Sequence, residues 1–258
     1  MLCAALIPLF AWLPVSAAEP SRLMACPDCG KEVSRRAVMC PHCGCPGAAI
    51  QEAAQAADEA ARPKHLTDAV TEGRKGQAVA ILQQDQRYVV MDSFLLAGAA
   101  SLALTSLDTG DTIAYGEPEL ASEVPLLRFK VTGQAALSYL SLRPEKAPPG
   151  SASFLDAKDQ ACPADKAVVR LNGEGELVAI RVEGEMASIS AGTTWLPVKP
   201  AELRTQLSLL TKARELSQGG KLPAETLAEL KSVKWISPCL EGKAAAMIQS
   251  QEKETKKP

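Results

Sequence analysis

Two Cys-Pro-x-Cys steps, Cys26-Pro27-Asp28-Cys29 and Cys40-Pro41-His42-Cys43, stand ten residues apart near the start of the chain, and each is followed at once by a glycine, Gly30 and Gly44. Each step puts two thiols on one tight turn, and the glycine relieves the backbone where amides point at sulfur. Two such turns can converge on one tetrahedral metal ion, with Cys26, Cys29, Cys40 and Cys43 as its ligands. The segment around them is rich in Cys, Gly and Pro and cannot form a core of its own without a staple. A pair of disulfides is the rival staple, favoured if the chain enters an oxidising compartment. Adjacent Cys-x-x-Cys pairs otherwise serve metals or redox exchange. Cys45 is a spare thiol able to replace Cys43 in a misassembled site. Outside this cluster, Cys162 and Cys239 are the better candidates for a disulfide.

Over residues 24–44 the pattern resembles the bacterial zinc-ribbon modules. The resemblance implies a ribbon over residues 24–46 with structural Zn2+ held by the four cysteines, a closed shell that leaves no open position for catalysis.

Residues 1–18, MLCAALIPLFAWLPVSAA, form an apolar stretch broken by Pro8 and Pro14 that ends in small residues. It reads as a signal peptide, and so as export to a bacterial periplasm, envelope or exterior; an uncleaved anchor is the alternative and the only expected link to a membrane. Residues 48–63 are alanine-rich and close on Pro63, which predicts a solvated spacer helix. From residue 73 to 198 the pattern becomes one of short β-like runs, at 78–82, 88–91, 101–105, 112–115, 126–131, 137–142, 167–171, 176–182 and 186–189, with turns at 108–111 and 172–175. Closely spaced strands with tight turns predict an antiparallel barrel or sandwich, and the main domain is placed at residues 64–200. Residues 201–217 carry Leu203, Leu207 and Leu210 at helical spacing, Pro223 opens a second helix, and helices extend to residue 250. Residues 251–258 read as a frayed, disordered tail.

Lysine plus arginine number 28 against 30 acidic residues, a formal charge of -2, so nothing in the balance favours nucleic acid. The hydrophobic content of 47% suffices for a core. Only two histidines exist, His42 and His65, and both precede the strand-patterned region.

Residues 76–99, GQAVAILQQDQRYVVMDSFLLAGA, resemble the opening of the trypsin-like serine proteases, with Phe94 at the place of the catalytic histidine. Residues 123–128, EVPLLR, are similar to that family's D-L-A-L-L-R strand, with Glu123 at the aspartate. Residues 171–180, LNGEGELVAI, resemble its late hairpin, and residues 195–198, WLPV, the strand before its last helix. Counting back, residues 164–169, ADKAVV, stand for G-N-S-G-G-P, which puts Lys166 at the nucleophile. The resemblance implies a trypsin-like antiparallel β-barrel whose catalytic triad is lost. Phe94 accepts no proton, Lys166 has no acyl-forming hydroxyl, and Ala164 and Ala167 replace glycines of the oxyanion loop. The fold class expected is therefore mainly β: a zinc ribbon, a spacer helix, a trypsin-like β domain and C-terminal helices. An unrelated small barrel or sandwich is the plainer alternative.

No catalytic residue is expected. A Ser-Lys pair of Lys166 with Ser151 or Ser153 has no motif to fix its spacing, and Glu123, Glu183 and Glu185 read as solvated carboxylates beside strands. The function expected is an exported, non-catalytic module that binds a protein or peptide, with Phe94 as an apolar surface for an extended peptide. A peptidase using an unrecognised site and a structural envelope protein are the competing classes.

Overall fold

A computed structural model describes residues 23–61, 64–135, 137–145 and 152–255; the segment read as a signal peptide and Ser151 lie outside the described residues. The chain divides into two compact units, Met1–Arg62 and Pro63–Pro258.

In the first unit, β1 (Leu23–Ala25) pairs antiparallel with β2 (Glu32–Ser34), Met24 opposite Val33. The two cysteine turns repeat one hydrogen-bond pattern. Gly30 N donates to Cys26 O at 2.9 Å and Gly44 N to Cys40 O at 3.0 Å, while Cys26 N and Cys40 N donate to Lys31 O and Cys45 O. Both glycines sit at left-handed φ, 70° and 78°, where a side chain is strained. Helix α1 (Gly47–Ala61) follows directly. It is more than a solvated spacer, because Ile50 is fully buried against Cys26, Val33, Cys40 and Cys45. That core of four side chains around one isoleucine is too small to hold a fold unaided.

The second unit is mainly β. Its large sheet contains β3 (Leu66–Thr71), β4 (Arg74–Gln83), β5 (Gln86–Asp92), β6 (Leu102–Ser106), β7 (Tyr115–Ala121), β8 (Leu126–Val131), the two-residue β9 (Leu140–Ser141) and, later in the chain, β14 (Trp195–Pro197). The spatial order is β14-β7-β8-β5-β4-β3-β6, all antiparallel, with β9 parallel to β4. Within it β6-β3-β4-β5 is a Greek key, three hairpin-connected strands with the fourth returning beside the first. Among the described residues this run of strands ends at β14 and β6, and residues 111–113 pair with the outer edge of β6 through the Thr105–Thr112 bridge. Between β9 and β14 the chain forms a second, antiparallel sheet in chain order: β10 (Ser153–Leu155), β11 (Val169–Leu171), β12 (Leu177–Val182) and β13 (Glu185–Ser188).

Three helices close the chain: α2 (Pro200–Gln218), α3 (Ala224–Ser232) and α4 (Pro238–Thr255). Strand β4 shows how the layers are held. Its Ala78 and Ala80 join a core with Leu203, Leu207 and Leu210 of α2, while Val79 and Ile81 join another with Leu177 and Ile180 of the second sheet. A strand buried on both faces reads as a continuous apolar run, which is why residues 78–82 show no polar alternation.

The C-terminal segment departs from expectation. Residues through Thr255 are helical, and Gln251, read as the start of a frayed tail, is buried, its side-chain oxygen accepting the Leu222 amide at 2.8 Å. Satisfying that buried N–H gives the last turn of α4 a reason to form. Among the described residues no helix is long and apolar enough to cross a membrane.

Candidate functional site

The sulfurs of Cys26, Cys29, Cys40 and Cys43 all lie within 4.8 Å of one another. Cys26 Sγ is 3.6 Å from Cys43 Sγ, and Cys29 Sγ 3.9 Å from Cys40 Sγ. A tetrahedral ion with metal–sulfur bonds of about 2.3 Å has sulfur–sulfur edges of about 3.8 Å, so the four donors fit a thiophilic ion. Cys45 is excluded: it is buried in the small core beside Ile50, its Sγ 3.8 Å from Pro46 O. The crowded sulfurs do not ionise alike. The Cys29 amide above all lowers the Cys26 thiol to about 6. For Cys43 the Cys45 amide pulls down, but burial and the Cys29, Cys26 and Cys40 sulfurs push the thiol up to about 12. Four thiolates this close need a cation to neutralise them.

Among the described residues Phe94 and Glu123, two of the positions aligned with a protease triad, line different clefts, and no hydrogen bond joins either to Lys166. Phe94 lies in a short 3-10 helix, Ser93–Leu96, with 6% of its surface exposed. Residues from α2 and α4 line the same 280 Å³ cleft as Phe94, so it is core and not the open peptide surface the sequence suggested. Glu123 is exposed and lines a separate polar groove of about 230 Å³ with Arg143 and Glu145. Lys166 is exposed in a second 3-10 turn, Ala164–Lys166. There the Lys166 and Ala167 amides donate back to Pro163 O and Ala164 O. Arg181 occupies the carbonyls: its Nε donates to Ala167 O and its Nη2 to Ala164 O at 2.9 Å. Amides used internally are not aimed at a developing oxyanion. Ser153 lies in β10 and makes no side-chain hydrogen bond to Lys166 among the described residues. Cys162 and Cys239 are free thiols. Burial raises both; Asp156 and Asp165 add to it at Cys162, whereas the charges acting on Cys239 are Lys243 and Glu183.

No protein-family model and no curated protein matches this chain.

Two polar groupings escaped the sequence reading. His65 belongs to the β unit, just ahead of β3, where Ala80 N donates to its carbonyl. Its backbone amide donates to Asp159 Oδ2 at 2.5 Å, and its Nδ1 stands 3.2 Å from the same oxygen. The β domain therefore contains an imidazole after all, but one whose carboxylate partner, 94 positions away, ties down the entry to β3. The other grouping is in the Phe94 cleft. Asp92 caps the 3-10 helix by accepting Phe94 N at 2.8 Å and accepts Glu183 N at 3.3 Å. Glu183, not a solvated carboxylate, is gripped by Arg214 Nη1 and by Lys243 Nζ at 2.9 Å. Lys243 also stands 5.2 Å from the centre of the Phe94 ring. An aspartate ending an apolar strand is the local signal of such a cap; its partners in α2 and α4 leave none.

Proposed function

We propose that this chain is a non-catalytic interaction module, a metal-stapled ribbon joined to a β domain derived from a trypsin-like fold that no longer cleaves, and that the metal is structural zinc. The observation that carries the reading is the state of the 164–167 turn, whose amides are bonded within the turn and whose carbonyls are bonded to Arg181. The burial of Phe94 and the separation of Glu123 into another groove agree with it. The Greek key in the large sheet supports the family reading at the level of topology. A donor set of four cysteines with no further ligand position supports zinc in a structural role.

A partner peptide has an edge to pair with. Among the described residues β13 is paired on one side only, as strand addition requires, whereas the outer edge of β10 is met by Ala161 and Cys162. The test combines metal analysis, thiol counting and a labelled-casein assay on the purified full chain. One zinc per chain with no cleavage supports the proposal. Cleavage that disappears in Lys166→Ala returns the chain to the peptidases, and four oxidised ribbon cysteines without metal replace the zinc by disulfides. Binding of a panel of extended peptides separates an interaction module from a purely structural envelope protein.

A further inference from the structure

A cavity of about 360 Å³ is lined by residues of β6, β7 and β8 of the large sheet and by the start of α2. Leu96, Leu102, Tyr115, Pro118 and Phe129 give it apolar and aromatic walls, and Arg204 of α2 is its one cationic lining residue. The Tyr115 and Phe129 rings meet edge to face, 5.1 Å between centroids, and the Tyr115 hydroxyl is already donated to Leu102 O. Pro200, the first residue of α2, lines the same space, so the positive end of a 19-residue helix lies at the cavity.

Arg204 is the anomaly. Its Nε is buried and has no hydrogen-bond partner. Among the described residues its guanidinium forms no ion pair within 4.0 Å. Glu72 is close enough to feel its charge, but the Glu72 oxygens are used by Ala100 N and Ser101 Oγ, each at 3.0 Å. Glu117 also lines the cavity, exposed, and is not bonded to Arg204. A half-buried guanidinium with no carboxylate partner among the described residues and one buried, unmatched donor, beside a preformed aromatic cavity, is half of a recognition site. A neutral apolar ligand would leave the guanidinium charge unmatched, and a multiply charged anion would meet one cation among apolar walls. A single carboxylate matches the planar fork with two oxygens.

We propose that the Arg204 cavity binds a monocarboxylate carried on an apolar body, with the carboxylate on the guanidinium and the body against Tyr115 and Phe129. Two sources share this chemistry, a free organic acid and the C-terminal residue of a peptide. Only the second connects the cavity to the peptide-binding reading above.

The test is a titration of the full chain, by calorimetry and by NMR shifts of Tyr115 and Phe129, with 3-phenylpropionate and its neutral amide. The acid is expected to bind at least about tenfold more tightly than the amide, the value of a charge-assisted bond. Arg204→Gln is expected to erase that difference, and Arg204→Lys to keep part of it, with melting curves reporting whether each variant is folded. Equal affinity for acid and amide, or no saturable shift at the two rings, overturns the proposal even if neither variant folds. A tripeptide ending in phenylalanine, with a free and with an amidated C-terminus, distinguishes the sources. Acid binding without peptide binding keeps the cavity and separates it from peptide recognition.

Discussion

Asp92 Oδ2 accepts the backbone amide of Glu183, 91 residues further along the chain, and so joins the end of β5 to the tip of the β12–β13 hairpin. That tip is a two-residue turn, Glu183 and Gly184, both at positive φ, between the paired Val182 and Glu185. Such turns favour Asn, Asp or Gly at the first position. A glutamate there is offset by the ion pairs it makes with Arg214 and Lys243.

Burial above all raises the Asp92 carboxyl to about 6; the Glu183 charge adds to the rise, while the Phe94 and Glu183 amides and Lys243 oppose it. Below the unfolded value, near pH 4, both states are protonated and the Asp92 contribution to stability is fully present. As pH rises through 6 the folded state must give up a proton that the unfolded state has already lost, and about 3 kcal/mol at most disappears. Denaturant titrations at pH 4.5 and 7.5 are expected to show the wild type losing stability relative to Asp92→Asn across that window. An unchanged difference between the two proteins refutes the assignment.

Arg128 lies 4.3 Å from the Tyr88 ring centre and 4.7 Å from that of Trp195, while its Nε donates to Glu119 and its Nη1 to Gln83 at 2.6 Å. With 13% of the side chain exposed, a cation between two rings is worth more than a surface pair. Arg128→Met is expected to lower stability by about 2 kcal/mol and to shift Trp195 fluorescence. Because β14 is anchored by only three residue pairs, the variant should also expose β14 to faster hydrogen exchange.

Gly47 admits no side chain. A Cβ there would stand 2.5 Å from Ala37 O and 2.6 Å from Val38 O. Gly47→Ala must therefore push the start of α1 off the ribbon, and a loss of roughly 2 kcal/mol in that unit is expected. Read as metal affinity, this is a fall of at least about tenfold. The melting transition of the second unit should stay in place, and a simultaneous loss of both would show that the units are not independent.

Removing the Gln251 side chain leaves the Leu222 amide buried without an acceptor. Gln251→Ala is expected to cost about 1–2 kcal/mol by calorimetry, where a frayed tail would cost nothing.

The cysteine cluster was legible because all four cysteines fall within eighteen consecutive residues and two local turns aim them. Strands β4, β5, β8 and β12 were equally plain, since apolar runs such as residues 78–82 mark strands covered on both faces. Strand β7 was hidden: Pro118 interrupts it, and its register shifts between Tyr115 and Pro118 to accommodate the ring. Strand β3 escaped because Thr67, Asp68 and Thr71 break its apolar pattern, although Thr67 is fully buried. Helix α4 opens on Pro238 and carries Gly242, so its propensity is weak and its packing decides. The cleft at Asp92 and the pair His65–Asp159 depend on contacts across 90 or more positions, which no local pattern encodes.

The second sheet leaves the large one after β9 and returns to it at β14, and Leu142, next to β9, bridges to Leu177 in β12. The strands β10 to β13 thus occupy a closed excursion of the chain, pinned at its exit and at its return. Closing that excursion demands the pairing of Trp195–Pro197 with residues 119–121, a contact of long sequence separation whose entropy is lost before its reward is gained. The Greek-key strands β3 to β6, by contrast, lie within 41 consecutive residues. The kinetic order this topology predicts is nucleation on β3–β5, late docking of β14 and slow maturation of the smaller sheet, so a nascent chain released before Pro197 is expected to have the first half of its architecture and no means of sealing the second.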